Sequence, residues 1–277
     1  MIDTERLAPI TLPELTGRAA LQTRVDRKYL LPLADAELLV RLLPSTTRVL
    51  EIAGRRHFGY ASIYLDTPDR ASYLLTARRR RRRFKVRSRA YLDSGSLWLE
   101  VKTRRGRFTV KDRLPCPAGL RHPLDEAALA DQHLDGERLR YVAHTLGGAG
   151  VAAIDPGHLR PALRTGYRRT TLHLPAQGRT PSDSRVTIDT DLEWTVPDRR
   201  LARPHLAIVE TKTATTPCGV DRLLWSLGHR PTAISKFATG LAALHPELPH
   251  TRWRRVLRDH LLVPDPATVN DTLRSIP

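Results

Sequence analysis

Cysteine is almost absent. Cys116 and Cys218 are the two in 277 residues, each beside a proline or glycine and neither with a second cysteine or a histidine at zinc-ligand spacing. A disulfide framework and a structural zinc site are thereby excluded. The eleven histidines are scattered, without the paired spacing of a metal-binding helix. No glycine-rich phosphate loop is present, and no serine, cysteine or histidine stands in a nucleophile motif. Aromatic residues make up 5% of the chain and are not interleaved with its densest cationic run, Arg78 to Arg83, as stacking on bases would require. No stretch approaches the roughly 20 apolar residues of a membrane-spanning helix, and Met1-Ile2-Asp3-Thr4-Glu5 lacks the basic region and apolar core of a secretory signal. A soluble, cytoplasmic protein is expected.

Lysine is the last scarcity. Of 46 basic residues 40 are arginine, and the six lysines are Lys28, Lys85, Lys102, Lys111, Lys212 and Lys236. Against 29 acidic residues this leaves a net charge of +17, which points to an anionic partner. The hydrophobic share of 40% is enough for a buried core, so disorder is excluded as the default.

Alternation and turn residues divide the chain. Strands are predicted at 24–31, 60–66, 84–91, 96–102, 108–114, 161–174, 184–194 and 206–213. Asp93-Ser94-Gly95 joins two of them as a hairpin turn. Helical spacing predicts helices at 33–43, ending before Pro44, and at 70–78, 124–146, 220–227 and 235–244, with Asp69 as the cap of the second. No low-complexity linker and no repeat interrupts these elements. The expected organisation is one α+β domain over 1–264, with a motif-bearing core at 24–246 and a C-terminal extension at 265–277.

Strand parity decides which side chains share a face. Lys85, Arg87 and Arg89 share one, as do Glu100 with Lys102, Lys111 with Arg113, Glu210 with Lys212, and Tyr167 with Arg169 and Thr171. Arg185, Thr187, Asp189 and Asp191 form another such set. A half-buried sheet with a solvated face is the simplest source of such a pattern. Its repetition, with cations gathered around few carboxylates, instead suits a barrel whose charged face turns inward and whose apolar face lies under helices. A lumen with that many cations repels itself unless it holds a polyanion. The Arg78–Arg83 run reads as a solvated helix end, since six consecutive arginines cannot all face one ligand.

The ordered segments Arg24-Val-Asp-Arg-Lys-Tyr29, Ser62-Ile-Tyr-Leu-Asp66, Lys85-Val-Arg-Ser-Arg-Ala-Tyr91, Leu99-Glu-Val-Lys102, Val110-Lys-Asp-Arg113, Tyr167-Arg-Arg-Thr170, Arg185-Val-Thr-Ile-Asp-Thr190, Val209-Glu-Thr-Lys212 and Ile234-Ser-Lys-Phe237 are spread from residue 24 to residue 237, a span that takes in most of the chain. Together they resemble the polyphosphate polymerase domain of the vacuolar transporter chaperone complex and its bacterial relatives, within the triphosphate tunnel metalloenzymes. The resemblance implies an antiparallel β-barrel, the triphosphate tunnel fold, with a cation-lined lumen and helices packed outside. It also implies an ATP-dependent polyphosphate polymerase, a phosphotransferase that moves the terminal phosphate of ATP onto a growing polyphosphate chain. Carried over position by position, it makes Lys28, Lys85, Arg87, Arg89, Lys102, Arg169, Arg185 and Lys236 the catalytic cations. Lys111, Arg113, Tyr167, Lys212 and Ser235 would bind substrate, and Glu210 would hold a divalent metal, Mn or Mg. ATP and polyphosphate are the implied partners, with a separate membrane-protein chain if synthesis is coupled to translocation; no specific nucleic-acid target is expected. The wider superfamily often opens with Glu-x-Glu-x-Lys, whereas Arg24-Val25-Asp26-Arg27-Lys28 keeps a single carboxylate. That departure disfavours two-metal triphosphate hydrolysis. An inorganic triphosphatase of the same fold and a non-enzymatic polyphosphate- or nucleic-acid-binding module are the alternatives.

Overall fold

Alternating apolar and charged residues build the sheet at the centre of the fold. In the computed structural model, which describes residues 2–18, 25–106, 108–116, 120–130, 132–151, 153–178 and 180–263, that sheet has eleven strands. They are β1 (Ala8–Ile10), β2 (Val25–Pro32), β3 (Arg48–Leu50), β4 (Phe58–Asp66), β5 (Arg82–Tyr91), β6 (Ser96–Arg105), β7 (Phe108–Pro115), β8 (Arg160–Leu174), β9 (Ser184–Val196), β10 (Arg199–Arg203) and β11 (Leu206–Thr213). The main path runs β2-β11-β9-β8-β4-β5-β6-β7, antiparallel throughout, with β10 added beside β9 and β3 beside β8; β1 pairs with β3 in parallel. β2 and β7 end the path without pairing, so the barrel is open along one seam. The sheet nevertheless curls round: the segment 232–235 bridges its two sides, Thr232 N donating to the Lys28 carbonyl of β2 and Ser235 Oγ accepting from Lys85 of β5, both at 2.6 Å.

Each helix covers apolar side chains of defined parity. α1 (Leu12–Arg18) packs near β1 through Leu15 and Ile10. α2 (Leu33–Arg41) and α6 (Gly219–Ser226) cover Tyr29, Leu31, Val186, Ile188 and Val209 on the outside of one half. α4 (Glu126–Ala130) and α5 (Gly136–Gly148) cover Ile63, Phe84, Val86, Leu99 and Val101 on the outside of the other. α3 (Ala71–Ala77) follows β4. α7 (Lys236–Leu244) has a different place: it enters the curl, and with Leu30, Tyr64, Leu192, Trp194 and Ile208 it fills one end of the interior with apolar side chains. The other end is left to the charged residues.

A bulge in β9 marks the change from polar to apolar interior. The register passes from Arg168↔Thr190 to Gly166↔Glu193, so Asp191 and Leu192 both stand opposite Tyr167. Asp191 takes φ 51°, a left-handed conformation that aspartate tolerates better than most residues. Beyond it the parity reverses, and Leu192, Trp194 and Val196 continue the face that Asp189 began. Asp191 itself leaves that face and approaches Arg168 at 3.9 Å near the surface, which corrects its grouping with Asp189.

Three other local expectations change. The helix foreseen over 124–146 is two helices, because Asp135 is extended and Gln132 turns inward, its Oε1 accepting from Ser88 Oγ at 3.3 Å. Asp66, not Asp69, caps α3: its buried carboxylate accepts N–H groups from Thr67, Ser72 and Tyr73 at 2.8–3.0 Å. The arginine run is not a helix end alone, since α3 stops at Ala77 and Arg82 and Arg83 already belong to β5. Arg24 and the extension foreseen at 265–277 lie outside the described residues.

A cation-lined tunnel as the candidate functional site

Register brings like charges side by side on the inner face. Lys85 of β5 stands directly opposite Lys102 of β6, and Lys102 directly opposite Lys111 of β7. Adjacent strands lie about 4.8 Å apart, and like charges directly opposite each other are destabilising. Lys85 donates to Ser235 Oγ at 2.6 Å, and Lys111 pairs with Glu100 at 2.5 Å. Lys102, between them, makes no ion pair or hydrogen bond among the described residues. Withdrawal from water and the charges of Lys102, Arg87 and Lys28 hold the Lys85 ammonium well below the ordinary lysine range. Lys102 is lowered by the same two causes, with Lys28 its main like-charged neighbour.

Three carboxylates organise the rest. Glu100, on β6, accepts from Arg87 Nε at 2.7 Å and Nη2 at 2.5 Å, takes Lys111 on its other oxygen, and has Arg89 at 3.8 Å. Asp189, on β9, accepts Arg169 Nε at 2.5 Å and Nη2 at 2.8 Å and pairs with Lys236. Glu210, on β11, takes Lys28 of β2 and Lys212, both at 2.7 Å and both closest to Oε1. Burial alone would raise all three carboxyls, but the paired cations prevail: Asp189 is held down to about 2, and Glu100 and Glu210 lie well below the carboxylate range. Burial draws Lys111 and Lys212 down to about 8, although Glu100 and Glu210 pull each the other way.

Tyrosines fix the arginines from the other side. Arg87 Nη1 donates to the Tyr64 hydroxyl at 2.8 Å, and Arg89 donates to Ser62 Oγ at 3.2 Å and the Tyr167 hydroxyl at 3.0 Å. The Tyr60 and Tyr167 rings stack at 5.2 Å, and the Arg169 guanidinium lies 5.2 Å from both. Burial raises the Tyr167 phenol, but Arg89, Arg169 and Lys236 outweigh it and leave its pKa lowered. The hydroxyl thus stands among cations that favour its ionised form. Tyr60 and Tyr64 were not among the expected site residues; their parity with Ser62 on β4 is the signal that places them on the same face.

α7 brings the last two groups. Ser235 is its N-cap, accepting from Ala238 N at 3.3 Å as well as from Lys85, so its own proton is left for a ligand. Lys236 follows in the first turn, and Trp194 Nε1 fastens the helix by donating to the Lys236 carbonyl at 2.8 Å. Trp194 was also not foreseen as a site-building residue, since a tryptophan on a strand ordinarily signals only core.

A family model described as the VTC domain matches residues 23–245. The chain belongs to the VTC domain family. No curated protein matches it. Among solved structures it is similar to a candidate adenylate cyclase from Bacillus halodurans, at 13% identity and a TM-score of 0.47, over 77% of this chain and 94% of that one. A candidate adenylyl cyclase from Hippeastrum, described as having a dominant triphosphatase activity, aligns at 16% identity and a TM-score of 0.43, over 79% and 95% of the two chains. The PH1819 protein of Pyrococcus horikoshii aligns at 11% identity and a TM-score of 0.39, over 75% and 92%.

Within this VTC domain the expected residues divide by position. Lys28, Lys85, Arg87, Arg89, Lys102, Arg169, Tyr167, Glu210, Lys212, Ser235 and Lys236 converge through the pairs and charges given above. Lys111 joins them from the edge strand through Glu100. Arg113, on the same strand, stands opposite Glu100 in the register but is exposed and stacks over the Trp98 ring at 4.6 Å. Arg185 lies on β9 beside Lys212, at the end of the Glu210 group. No three His, Cys, Asp or Glu side chains gather as a metal cage among the described residues. A hard divalent ion needs only one or two carboxylates when phosphate oxygens supply the remaining ligands. Glu210, with both lysines closest to one of its oxygens, has a geometry compatible with that mode.

Proposed function

We propose that this VTC domain is an ATP-dependent polyphosphate polymerase working inside the basic tunnel. The observation that carries the reading is the unbroken cross-strand row Lys85–Lys102–Lys111, a self-repelling arrangement that a chain of phosphates would relieve. Membership of the VTC domain family supports the substrate class. A tunnel lined from eight strands suits a linear polyanion better than a compact one.

Phosphoryl transfer asks for positioning and charge neutralisation more than covalent help. A terminal oxygen of the polyphosphate chain attacks the γ-phosphorus of ATP; the bond from that phosphorus to the β–γ bridging oxygen breaks, and ADP leaves with the electron pair. Arg169, held by Asp189 through Nε and Nη2, keeps Nη1 for a phosphate oxygen and fixes its orientation. Arg87 and Arg89 already spend donors on Glu100, Tyr64, Ser62 and Tyr167, so they act mainly as preorganised positive charge. Lys85, Lys102, Lys236 and the Ser235 hydroxyl contact oxygens whose charge grows as the bond breaks. A divalent ion held by Glu210 would neutralise further phosphate oxygens. Among the described residues no helix is long and apolar enough to cross a membrane.

Incubation of the purified protein with ATP and manganese or magnesium tests the reading. Long-chain polyphosphate on a gel, with ADP released in proportion, is the expected result. Release of orthophosphate without chain growth would move the assignment to a triphosphatase, and absence of both products would leave a binding module.

A further inference from the structure

The cationic row does not end at the lysines. Arg83 is the next inward-facing residue of β5 beyond Lys85, it stands directly opposite Arg104 of β6, and its charge acts on Lys85. Both arginines open into a basin of 1140 Å³ where the β6–β7 turn meets the arginine run. Among the described residues seven arginines and Gly106 line this basin, and no carboxylate does. Arg252 joins it from the far end of the chain, tethered by a bond to the Thr76 carbonyl at 3.0 Å.

Backbone carbonyls, which carry no net charge, hold two of these guanidinium groups: Arg83 donates to Arg80 O and Arg104 to Gly106 O, both at 2.8 Å. Their charge is therefore oriented but not neutralised. Burial, with Arg104, Arg252 and Arg79 nearby, lowers the Arg83 pKa. On an ordinary solvated surface such groups would separate or acquire acidic neighbours; here three segments of the chain bring them together.

Resting on the polymerase reading above, we propose that this basin is a second polyphosphate site, which holds the part of the inorganic chain lying outside the tunnel and so favours longer chains. From Arg83 to Arg89 the inward-facing row spans about 20 Å at ~3.4 Å per residue, so one linear chain can lie on both. Continuity with the tunnel row favours inorganic polyphosphate over nucleic acid, and among the described residues no aromatic ring lines the basin on which a base could stack.

The test is a binding comparison on the full chain at fixed ionic strength, with tripolyphosphate and long-chain inorganic polyphosphate as probes. The variant R81S/R82S/R105S removes exposed arginines from the basin and leaves Arg83, Arg104 and the tunnel residues in place. Long-chain affinity is expected to fall about tenfold or more, as for several lost phosphate contacts, while tripolyphosphate affinity changes less than about twofold. R81K/R82K/R105K should keep most of the long-chain affinity and thereby separate loss of charge from damage to the fold. An equal loss for both probes, or no loss for the long chain, overturns the proposal. So does single-stranded RNA of matched charge that binds as tightly as polyphosphate and loses affinity in parallel. If the wild type makes no polymer from ATP, the polymerase reading fails on that result, while the ratio of the two affinities still decides the basin.

Discussion

Trp194 and Gly240 meet where no Cβ can stand: one built on Gly240 would lie 2.0 Å from Trp194 Cδ1 and 2.3 Å from Nε1. The same indole donates to the Lys236 carbonyl, so this approach sets how far α7 enters the tunnel and where Ser235 and Lys236 stand. Gly240→Ala is expected to push the helix or the indole aside, at a cost of about 1–3 kcal/mol typical of overpacking. Polymer synthesis should fall with the melting temperature, and an unchanged melting temperature would show that the contact is not tight.

Lys102→Ala separates function from stability. The substitution breaks no ion pair or hydrogen bond among the described residues and removes one of three adjacent like charges. Thermal stability should stay level or rise, while ADP release falls about 100-fold or more, as when one preorganised charge is lost from a transition-state site. A lower melting temperature would mean that the row serves the fold.

Glu210→Gln leaves Lys28 and Lys212 facing each other without their shared carboxylate. Stripping one partner from a largely buried cluster of this kind is expected to cost about 2–3 kcal/mol, read from the denaturation midpoint. The dependence of turnover on added manganese or magnesium should flatten in the same variant. A wild-type metal titration would remove Glu210 as the holding residue.

Alkaline pH should move stability and binding in opposite directions. Lys111 and Lys212 have folded-state pKa values of about 8, below those of an unfolded lysine, so between pH 8 and 10 the unfolded chain holds more protons than the folded one. On this account stability rises with pH across that window, before the tyrosines titrate, and is lower once both lysines are charged. Tripolyphosphate affinity should fall over the same range as two tunnel cations are lost. Parallel melting and binding titrations check both signs.

Much of the tunnel was legible residue by residue. Alternation in Lys85-Val-Arg-Ser-Arg and Glu210-Thr-Lys212 placed these charges on one face, because a strand alternates whatever it pairs with. Parity failed at Asp191, where the bulge inserts one residue and nothing local announces it. It was not followed far enough at Arg83, which a run of six arginines concealed among its neighbours. Asp66 and Asp69 were both plausible caps for α3, and only the folded turn shows which carboxylate reaches the amides. The break before Gly136 depended on Gln132 finding Ser88, a partner from another strand.

The amino-acid sequence by itself determined which residues are inward and which outward over most strands, the excess of cations on the inner face, and the scarcity of lysine that singles out six positions. Those are local properties, set by a two-residue period and by composition. Tertiary structure alone decided that Lys85, Lys102 and Lys111 form one row, that Glu100, Asp189 and Glu210 each take at least two cations, that α7 closes one end of the interior, and that Arg83 and Arg104 carry the row out into the basin. Each depends on register between strands distant in sequence, where a shift of a single residue would turn an entire set of side chains to the opposite face.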